Sequence, residues 1–378
     1  MKNYLGLITI LLLFSCQTKK KEAEKTELKT KTVKKEFSFY VGTYTGGESK
    51  GIYKYSINDQ GVLKKDGLAT TAKNPSFLAL SHDKKYLLAV SEIKNELGTG
   101  NVESYKITKD SLMFMNSISS GGASPCHIIT NKNNNVLVAN YTGGNVGLFH
   151  LNTEGKLTSL DIQQHTGKGT TSRQEAPHAH STWFSPNKEN EVIALDLGTN
   201  ELWFSTITEQ KLKPSAPQKL AMADGAGPRH MVFNPIKPEF AYVLNELDGT
   251  ITGIKKQEDH SYKITTTIST LPKDFTEFNK CADIHMSNDG AFLYASNRGH
   301  NSIAIFKVNS DASLTAIGHE SVRGETPRNF ALSPDNKFLL VANQNSNTII
   351  SFKRNTETGL LTFVSEIAAP KPVCILFE

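Results

Sequence analysis

Short apolar segments, each bounded by turn-forming residues, recur along the chain from residue 37 to residue 378. Residues 86–90 and 292–296 are examples, and a second short run such as 302–308 follows each of them. The segments are rich in β-branched and aromatic residues, and no helical period is sustained. The pattern therefore predicts β-strands throughout this part of the chain.

One pattern recurs along these strands, and residues 326–343 show it most clearly. A Pro precedes a short apolar run, a Ser-Pro-Asp turn follows, and a second apolar run ends in Asn. The frame begins at seven positions, one with Cys in place of Pro and the last a partial copy: Pro75, Pro125, Pro177, Pro228, Cys281, Pro327 and Pro372. Four short strands in each repeat of roughly 50 residues are typical of a β-propeller.

The two ends of this array complement each other. The last copy, 372–377, is a single strand, and the first copy, which starts at residue 37, lacks that strand. A C-terminal strand that completes the N-terminal blade would close the ring and remove the edges that an open solenoid must cap. The sequence predicts an all-β fold over residues 37–378, a closed seven-bladed β-propeller with four-stranded blades.

The excess positive charge is confined to the N-terminus. Nine of the 42 Lys and Arg residues and four of the 37 Asp and Glu residues lie in residues 1–36, which leaves 33 of each sign in the remainder. Nucleic-acid binding needs a basic face that neutralises phosphates. The neutral body therefore argues against a nucleic-acid partner.

The first 36 residues have the pattern of an export signal and a tether. One Lys, an apolar run over residues 4–14 and then Ser15-Cys16 predict a signal peptide over residues 1–16. Residues 13–16 resemble the bacterial lipobox, which implies lipidation of Cys16; an ordinary signal peptide with an incidental cysteine is the alternative. Residues 17–36 are rich in Lys, Glu and Thr and predict a disordered tether. We expect an exported, membrane-anchored lipoprotein in the periplasm or on the outer-membrane surface.

Charged residues cluster at two positions of the repeat, the start of each first strand and the end of each second strand. These positions lie on one face of a propeller, where the central channel opens. A structural position would tolerate small or apolar residues, whereas these positions hold Arg, His and Glu that differ between blades. The candidates expected to converge there are His178, His180, Arg229, Glu246, Arg298 and Arg328, with His230 and Asp283 one position further along their strands. Arg suits recognition of carboxylate or phosphate, and Glu and His are common general bases. The set favours an anionic ligand and one activated water.

Several other polar residues are expected to be structural. The recurrent asparagines suit turn caps at strand ends: Asn140, Asn245, Asn297 and Asn343. Three further histidines suit loops or packing: His127, His285 and His300. The polar stretch 163–175, which contains His165, predicts a long mobile loop that leads to the same face.

The remaining motifs support no metal or cofactor. Cys126, Cys281 and Cys374 are odd in number and form no C-x-x-C, so each is expected to pack as a small apolar residue. His178-Ala179-His180 offers two metal ligands, but no carboxylate cluster accompanies it by spacing. The chain also lacks G-x-S-x-G, Walker A and G-x-G-x-x-G motifs.

Six short segments occur in this order along the chain, the second to the fifth on consecutive predicted blades: 40–45 (Tyr-Val-Gly-Thr-Tyr-Thr), 177–180 (Pro-His-Ala-His), 227–230 (Gly-Pro-Arg-His), 245–246 (Asn-Glu), 296–300 (Ser-Asn-Arg-Gly-His) and 326–330 (Thr-Pro-Arg-Asn-Phe). Through them, residues 37–378 resemble the lactonase seven-bladed propeller family. That family includes bacterial propeller-type 6-phosphogluconolactonases and fungal carboxymuconate cyclases. The Ser-Pro-Asp repeat occurs in many propellers, and the ordered His, Arg and Glu segments are more specific.

The resemblance implies a catalytic set of His180 or His178 with Arg229, Glu246 and Arg298, acting on a lactone without a required metal or cofactor. The arginines would hold the oxyanion and the substrate's anionic group, and Glu246 or His180 would take a proton from water. Substrate-binding roles are expected for His178, His230, Arg328 and Asp283.

The expected function is hydrolysis of a sugar-acid lactone by a 6-phosphogluconolactonase-like ester hydrolase. An exported protein would not meet a phosphorylated cytoplasmic lactone, so a plain aldonolactone or another anionic sugar lactone is the expected partner. Two alternatives stay open. One is a non-catalytic surface propeller that binds glycan or protein, and the other is a muconate-type cycloisomerase.

Overall fold

The computed structural model describes residues 1–2 and 35–378, and residues 35–378 form one compact unit. These residues fold into seven four-stranded antiparallel sheets and contain no helix, hence none suited to spanning a bilayer. The predicted all-β seven-bladed propeller is confirmed. The signal peptide, Cys16 and nearly all of the tether lie outside the described residues and stay predictions.

Each sheet is one blade, and we number the blades from the N-terminus with their strands given from the channel outward. Blade 1 combines both chain ends: β28 (Pro372–Phe377), β1 (Glu36–Thr43), β2 (Gly51–Asn58) and β3 (Leu63–Thr71). Blade 2 consists of β4 (Leu78–Leu80), β5 (Tyr86–Ser91), β6 (Asn101–Ile107) and β7 (Leu112–Ser119). Blade 3 consists of β8 (Pro125–Thr130), β9 (Asn135–Asn140), β10 (Asn145–Leu151) and β11 (Leu157–Gln164).

The other four blades follow the chain in the same way. Blade 4 consists of β12 (Ala179–Ser185), β13 (Lys188–Asp196), β14 (Glu201–Thr208) and β15 (Lys211–Ala221). Blade 5 consists of β16 (Pro228–Phe233), β17 (Phe240–Asn245), β18 (Thr250–Lys256) and β19 (Tyr262–Ser269). Blade 6 consists of β20 (Lys280–Met286), β21 (Phe292–Arg298), β22 (Ser302–Val308) and β23 (Leu314–Ser321). Blade 7 consists of β24 (Pro327–Leu332), β25 (Phe338–Asn343), β26 (Thr348–Arg354) and β27 (Leu361–Ala368).

The ring closes as the chain ends suggest. β28 pairs antiparallel with β1, which places Ile375 opposite Val41 and Cys374 opposite Gly42. The innermost strands contact one another around the ring, in the order β4, β8, β12, β16, β20, β24 and β28. Gly42 permits the close approach of blade 2, because a Cβ there would lie 2.4 Å from the carbonyl oxygen of Pro75.

The hydrophobic core is divided among the interfaces between neighbouring blades and does not form a single central cluster. The described residues contain seven buried apolar clusters, one at each blade–blade interface. At the closing interface, Phe39 and Val41 pack against Phe338, Leu340 and Ile375. The middle strands are buried on both faces, whereas the outermost strands are mostly half-buried or exposed beyond a buried first residue. Burial of apolar surface between blades thus fixes the ring, and the polar residues at its mouth are free to vary.

Candidate active site

A β-bulge at the start of the innermost strand aims the candidate side chains into the channel. In blade 5, Pro228 pairs with Asn245 and His230 with Leu244, so Arg229 is the extra residue between them. The equivalent extra residues in other blades are Cys126, His180, Arg328 and Val373. A bulge inserts one unpaired residue and re-aims it, and such features are common beside active sites.

The bulges correct one detail of the repeat alignment. In blade 4, Ala179 rather than Pro177 pairs with the strand-end residue Asp196, so His180 is the counterpart of Arg229. His178 lies before the strand, where its ring stacks on Tyr141 at a centroid distance of 4.5 Å. Its Nδ1 lies 3.0 Å from the carbonyl oxygen of Tyr141. His178 therefore buttresses the wall of the site, and His180 enters it.

The ends of the second strands complete a cavity of about 230 Å³ at the mouth of the channel. The cavity combines bulge residues with residues from strand ends and connections, and it is lined by Glu92, Cys126, Tyr141, Arg173, His180, Glu246, Lys280, Arg298 and Arg328. The structure thus brings His180, Glu246, Arg298 and Arg328 together. Arg229 lies beside them and contacts Glu246.

Glu246 is the centre of this cavity. Its Oε2 accepts hydrogen bonds from Arg229 Nε at 2.9 Å and from Arg298 Nη2 at 2.9 Å. His180 Nε2 lies 3.8 Å from the same oxygen, and Arg173 Nη2 lies 3.6 Å from Oε1. One buried carboxylate is therefore surrounded by three guanidinium groups and an imidazole.

The electrostatics keep this carboxylate ionised. Burial alone would raise the pKa of Glu246, but Arg298, Arg229 and Arg328 outweigh burial and lower the pKa to about 2. Burial lowers the pKa of Arg298 to about 10, against the opposing effect of Glu246. At neutral pH the pair is therefore a buried ion pair.

His180 is neutral in the same environment. Burial, together with the positive charge of Arg229 and its neighbours, holds the pKa of His180 well below its usual range. Its Nδ1 lies 3.7 Å from the Cys126 sulfur, and Nε2 faces Glu246. An unprotonated imidazole in a cavity is chemically able to accept a proton.

A second polar cluster forms the opposite wall. Arg328 Nη2 donates to the Tyr44 hydroxyl at 2.7 Å, and Tyr44 donates to Glu92 Oε2 at 2.8 Å. The Arg328 guanidinium also lies 5.1 Å from the centre of the Tyr44 ring. The cluster links blades 1, 2 and 7 and leaves most Arg328 donors free of protein partners.

Lys280 adds a further positive charge at the cavity. Burial and then Arg173 lower the pKa of Lys280, because the ammonium group lies among other cations. No carboxylate of residues 35–378 lies within ion-pair distance of it. The cavity therefore holds more cations than carboxylates.

The connection between β11 and β12 carries Arg173 to the cavity, where its Nη2 donates to the Tyr141 hydroxyl at 2.9 Å. The stretch is long and reaches this face as expected, but it is anchored in the protein interior. His165 Nδ1 lies 2.7 Å from Asp196 Oδ2, and Gln174 Nε2 donates to the Leu197 carbonyl at 2.9 Å. These buried contacts hold Arg173 in place without a substrate.

His230 and Asp283 lie beneath the cavity and do not line it. His230 Nδ1 is 2.8 Å from Asp283 Oδ1, and both side chains are almost fully buried. Asp283 has only protein groups as partners, among them Asn329 and His285. The structure therefore does not bring Asp283 into contact with the space available to a ligand.

The residues expected to be structural have structural partners. Asn140, Asn297 and Asn343 donate to the backbone carbonyl of the residue that follows the preceding blade's outermost strand, and Asn245 donates to two threonine hydroxyls. His127 packs between Phe77 and Trp183, His285 against Phe330, and His300 against Phe275.

The three cysteines of the described body are buried and unpaired, as expected. Residues 35–378 contain no group of three or more His, Cys, Asp or Glu side chains placed to hold a metal ion.

Six residues of the site were not predicted from the sequence, among them Cys126, which was expected only to pack but lines the cavity. Tyr44, Glu92 and Tyr141 follow the ends of second strands, the position that also gives Glu246 and Arg298, so the repeat contained a signal for them. Lys280 precedes the proline position by one residue, and Arg173 lies in a connection with no repeat counterpart. For these two, only the three-dimensional structure shows where the side chain points.

The comparisons with known proteins agree with this architecture. Residues 38–377 match the family described as "Lactonase, 7-bladed beta-propeller". The 6-phosphogluconolactonase of Bacillus subtilis is 36% identical over 346 residues, which cover 89% of this chain and 97% of the relative. A crystal structure of a Lactobacillus plantarum protein is 31% identical, with a TM-score of 0.86 over 91% of this chain and 100% of that one. The structure of a periplasmic gluconolactonase from Pseudomonas aeruginosa is 27% identical, with a TM-score of 0.86 over 91% of this chain and 99% of that one. The chain belongs to the lactonase family of seven-bladed β-propellers.

Proposed function

We propose that this protein is a lactonase that hydrolyses a sugar-acid lactone in the cavity around Glu246. The observation that carries the proposal is an ionised, buried carboxylate held by guanidinium groups beside a neutral histidine. Membership of the lactonase family supports it, as do relatives named 6-phosphogluconolactonase and gluconolactonase.

The charge balance supports a substrate that carries an anionic group. Four cations line the cavity, whereas two carboxylates, Glu92 and Glu246, oppose them; the cations are Arg173, Lys280, Arg298 and Arg328. The carboxylates are already engaged by protein donors, so positive charge is left for the ligand. An aldonolactone with an acidic substituent matches this excess, and a neutral aldonolactone would use it only when the oxyanion forms.

His180 is the general base of the proposed reaction. It removes a proton from water, and the oxygen of that water forms a bond to the lactone carbonyl carbon. The bond from that carbon to the ring oxygen then breaks, and the ring oxygen takes the proton back from His180 to become a hydroxyl group. The product is an aldonic acid, which ionises to its carboxylate.

Glu246 serves this step as a fixed negative charge. Its pKa of about 2 makes it a weak proton acceptor, and two guanidinium groups occupy its Oε2. Its position 3.8 Å from His180 Nε2 favours the imidazolium that forms when His180 takes the proton. An anionic substrate also offsets the guanidinium charge that depresses the pKa of His180, so binding strengthens the base.

Arg328 and Arg298 would hold the developing oxyanion and the substrate's anionic group. Among the described residues, Arg328 has one hydrogen bond to a side chain, to Tyr44, so its other donors are open to a ligand. Hydrogen-bond donors that are already in place stabilise an oxyanion without reorganising. Each such donor can lower the activation free energy by ~3 kcal/mol. Arg229 keeps Glu246 in place from below.

Replacing His180 separates the two histidine candidates. We expect His180→Asn to lower kcat by roughly 100-fold or more, because the proton acceptor is lost. His178→Asn is the matched control, with an expected change below about ten-fold, because His178 only buttresses Tyr141. Proton release in a pH-stat from a panel of aldonolactones, with and without a phosphate group, measures both variants of residues 35–378.

Folded protein that hydrolyses no lactone above the spontaneous rate would contradict the lactonase proposal and favour a binding propeller. Turnover of an unsaturated diacid without lactone hydrolysis would favour a cycloisomerase. A larger loss in His178→Asn than in His180→Asn would reverse the assignment of the base.

Replacing Lys280 tests whether the positive charge of the cavity contributes to binding of an anionic substrate. We expect Lys280→Gln to raise KM for an anionic lactone by roughly five-fold, about 1 kcal/mol, with kcat nearly unchanged, because a cation at the cavity contributes to ground-state binding. The exposed Lys263→Gln is the control. An equal rise in KM for a neutral lactone of the same ring size would show that Lys280 acts by shape rather than by charge.

We also propose that the protein is exported and anchored by lipid at Cys16, which places the propeller outside the cytoplasm. The lipobox-like residues 13–16 and the periplasmic gluconolactonase neighbour support export. Cell fractionation should find the wild-type protein in membranes and Cys16→Ser in the soluble or unprocessed fraction. Membrane association of a processed Cys16→Ser protein, equal to that of the wild type, would contradict lipidation.

A further inference from the structure

A layer of buried side chains lies directly under the cavity. In its contact between His230 and Arg229, the chemistry of the two groups decides which one donates the hydrogen bond. His230 Nε2 is 3.2 Å from Arg229 Nη1, and His230 Nδ1 is 2.8 Å from Asp283 Oδ1. Arg229 in turn donates from Nη1 to the Ala282 carbonyl and from Nε to Glu246. A continuous series of contacts therefore runs from Asp283 through His230 and Arg229 to the central carboxylate.

The chemistry of these groups leaves one proton arrangement for His230. A guanidinium group has only donors, so His230 Nε2 must be an acceptor towards Arg229. The His230 proton must then be on Nδ1, where it faces Asp283 Oδ1. This arrangement requires Asp283 Oδ1 to accept, as an oxygen of an ionised carboxylate does.

The surroundings of Asp283 enforce that state. Its Oδ1 also accepts from the Ile284 amide at 3.0 Å, and its Oδ2 accepts from Asn329 Nδ2 at 2.6 Å and from the Phe330 amide at 3.3 Å. His285 Nε2 lies 3.0 Å from Oδ2. Burial opposes ionisation, yet His285 and the hydrogen bonds hold the pKa of Asp283 well below its usual range. Burial and then Arg229 lower the pKa of His230 to about 4, which keeps it neutral.

We propose that Asp283 is a positioning residue of the active site. It holds His230 in the tautomer with the proton on Nδ1, so that His230 Nε2 accepts from Arg229 and fixes that guanidinium against Glu246. The tautomer itself does not depend on the reaction, whereas its catalytic consequence rests on the proposed lactonase activity. Asp283 thereby acts on the substrate through His230 and Arg229, without touching it.

Asp283→Asn probes this arrangement with little change of shape. The Oδ2 side of Asp283 faces the Asn329 and Phe330 N–H donors and His285, whereas Oδ1 faces the Ile284 amide and His230. The oxygen of the introduced amide therefore takes the Oδ2 side. Its NH2 group then faces His230, and Nδ1 must become an acceptor. The proton of His230 moves to Nε2, where it faces an N–H of Arg229. Arg229 thereby loses its hydrogen bond to His230.

Nitrogen-15 NMR of histidine-labelled protein tests the tautomer directly. The wild-type His230 should show a protonated Nδ1 and an unprotonated Nε2 at pH 7, and Asp283→Asn should exchange the two assignments. His230→Gln identifies the resonances by their loss. A wild-type His230 with its proton on Nε2, or with both nitrogens protonated, would overturn the proposal whatever the activity of the protein.

A double-mutant cycle tests the catalytic consequence. Asp283→Asn should lower kcat by about ten-fold or more in the wild-type background and by less than about two-fold in the His230→Gln background, because its effect passes through His230. The control His285→Gln removes the ion pair on the other carboxylate oxygen, keeps a donor there and should leave kcat within about two-fold. Equal losses from Asp283→Asn in both backgrounds, with folding confirmed by thermal unfolding, would assign Asp283 a merely structural role.

Discussion

The buried ion cluster around Glu246 is the interaction on which the mouth of the channel depends. It joins Arg229 of blade 5 to Arg298 of blade 6, and it lies within 3.8 Å of His180 from blade 4. Removal of one partner from such a cluster leaves buried charge uncompensated, which commonly costs about 3–5 kcal/mol. The cluster therefore couples the relative placement of three blades to the ionisation of one carboxylate.

The propeller provides this arrangement by separating stability from chemistry. Apolar clusters between neighbouring blades hold the ring, and β28 closes it beside β1. The bulge residues His180, Arg229 and Arg328 are not part of those clusters, and the bulges direct their side chains inward. Seven similar blades can therefore present different side chains to one cavity.

The fold could be predicted from the sequence because its determinants repeat. Strand periodicity, the spacing of the Pro frames and the complementary ends are visible without coordinates, and they gave the blade number and the closure. The same frame indicates the two repeat positions that supply Arg229, Glu246 and Arg298 at or beside the cavity.

The remaining details depend on features with no periodic signal. A bulge shifts the direction of the side chains that follow it, so spacing alone could not show that Ala179 takes the place of Pro177 or that Asp283 lies beneath the cavity instead of lining it. Arg173 reaches the cavity from a connection fixed by His165 and Gln174, contacts between residues distant in sequence. The ionisation of Glu246 likewise results from charges on several blades, which the sequence does not place.

The ionisation state of Glu246 is the most direct test of this account. A carbon-13 titration of the glutamate carboxyl groups, with Glu246→Gln to assign the resonance, measures it in the folded protein. We expect a midpoint near 2, so the stabilisation that Glu246 provides is present at neutral pH and is lost as the pH falls below about 4. A midpoint above the ordinary value of about 4.3 would contradict the buried ion cluster and the role assigned to His180.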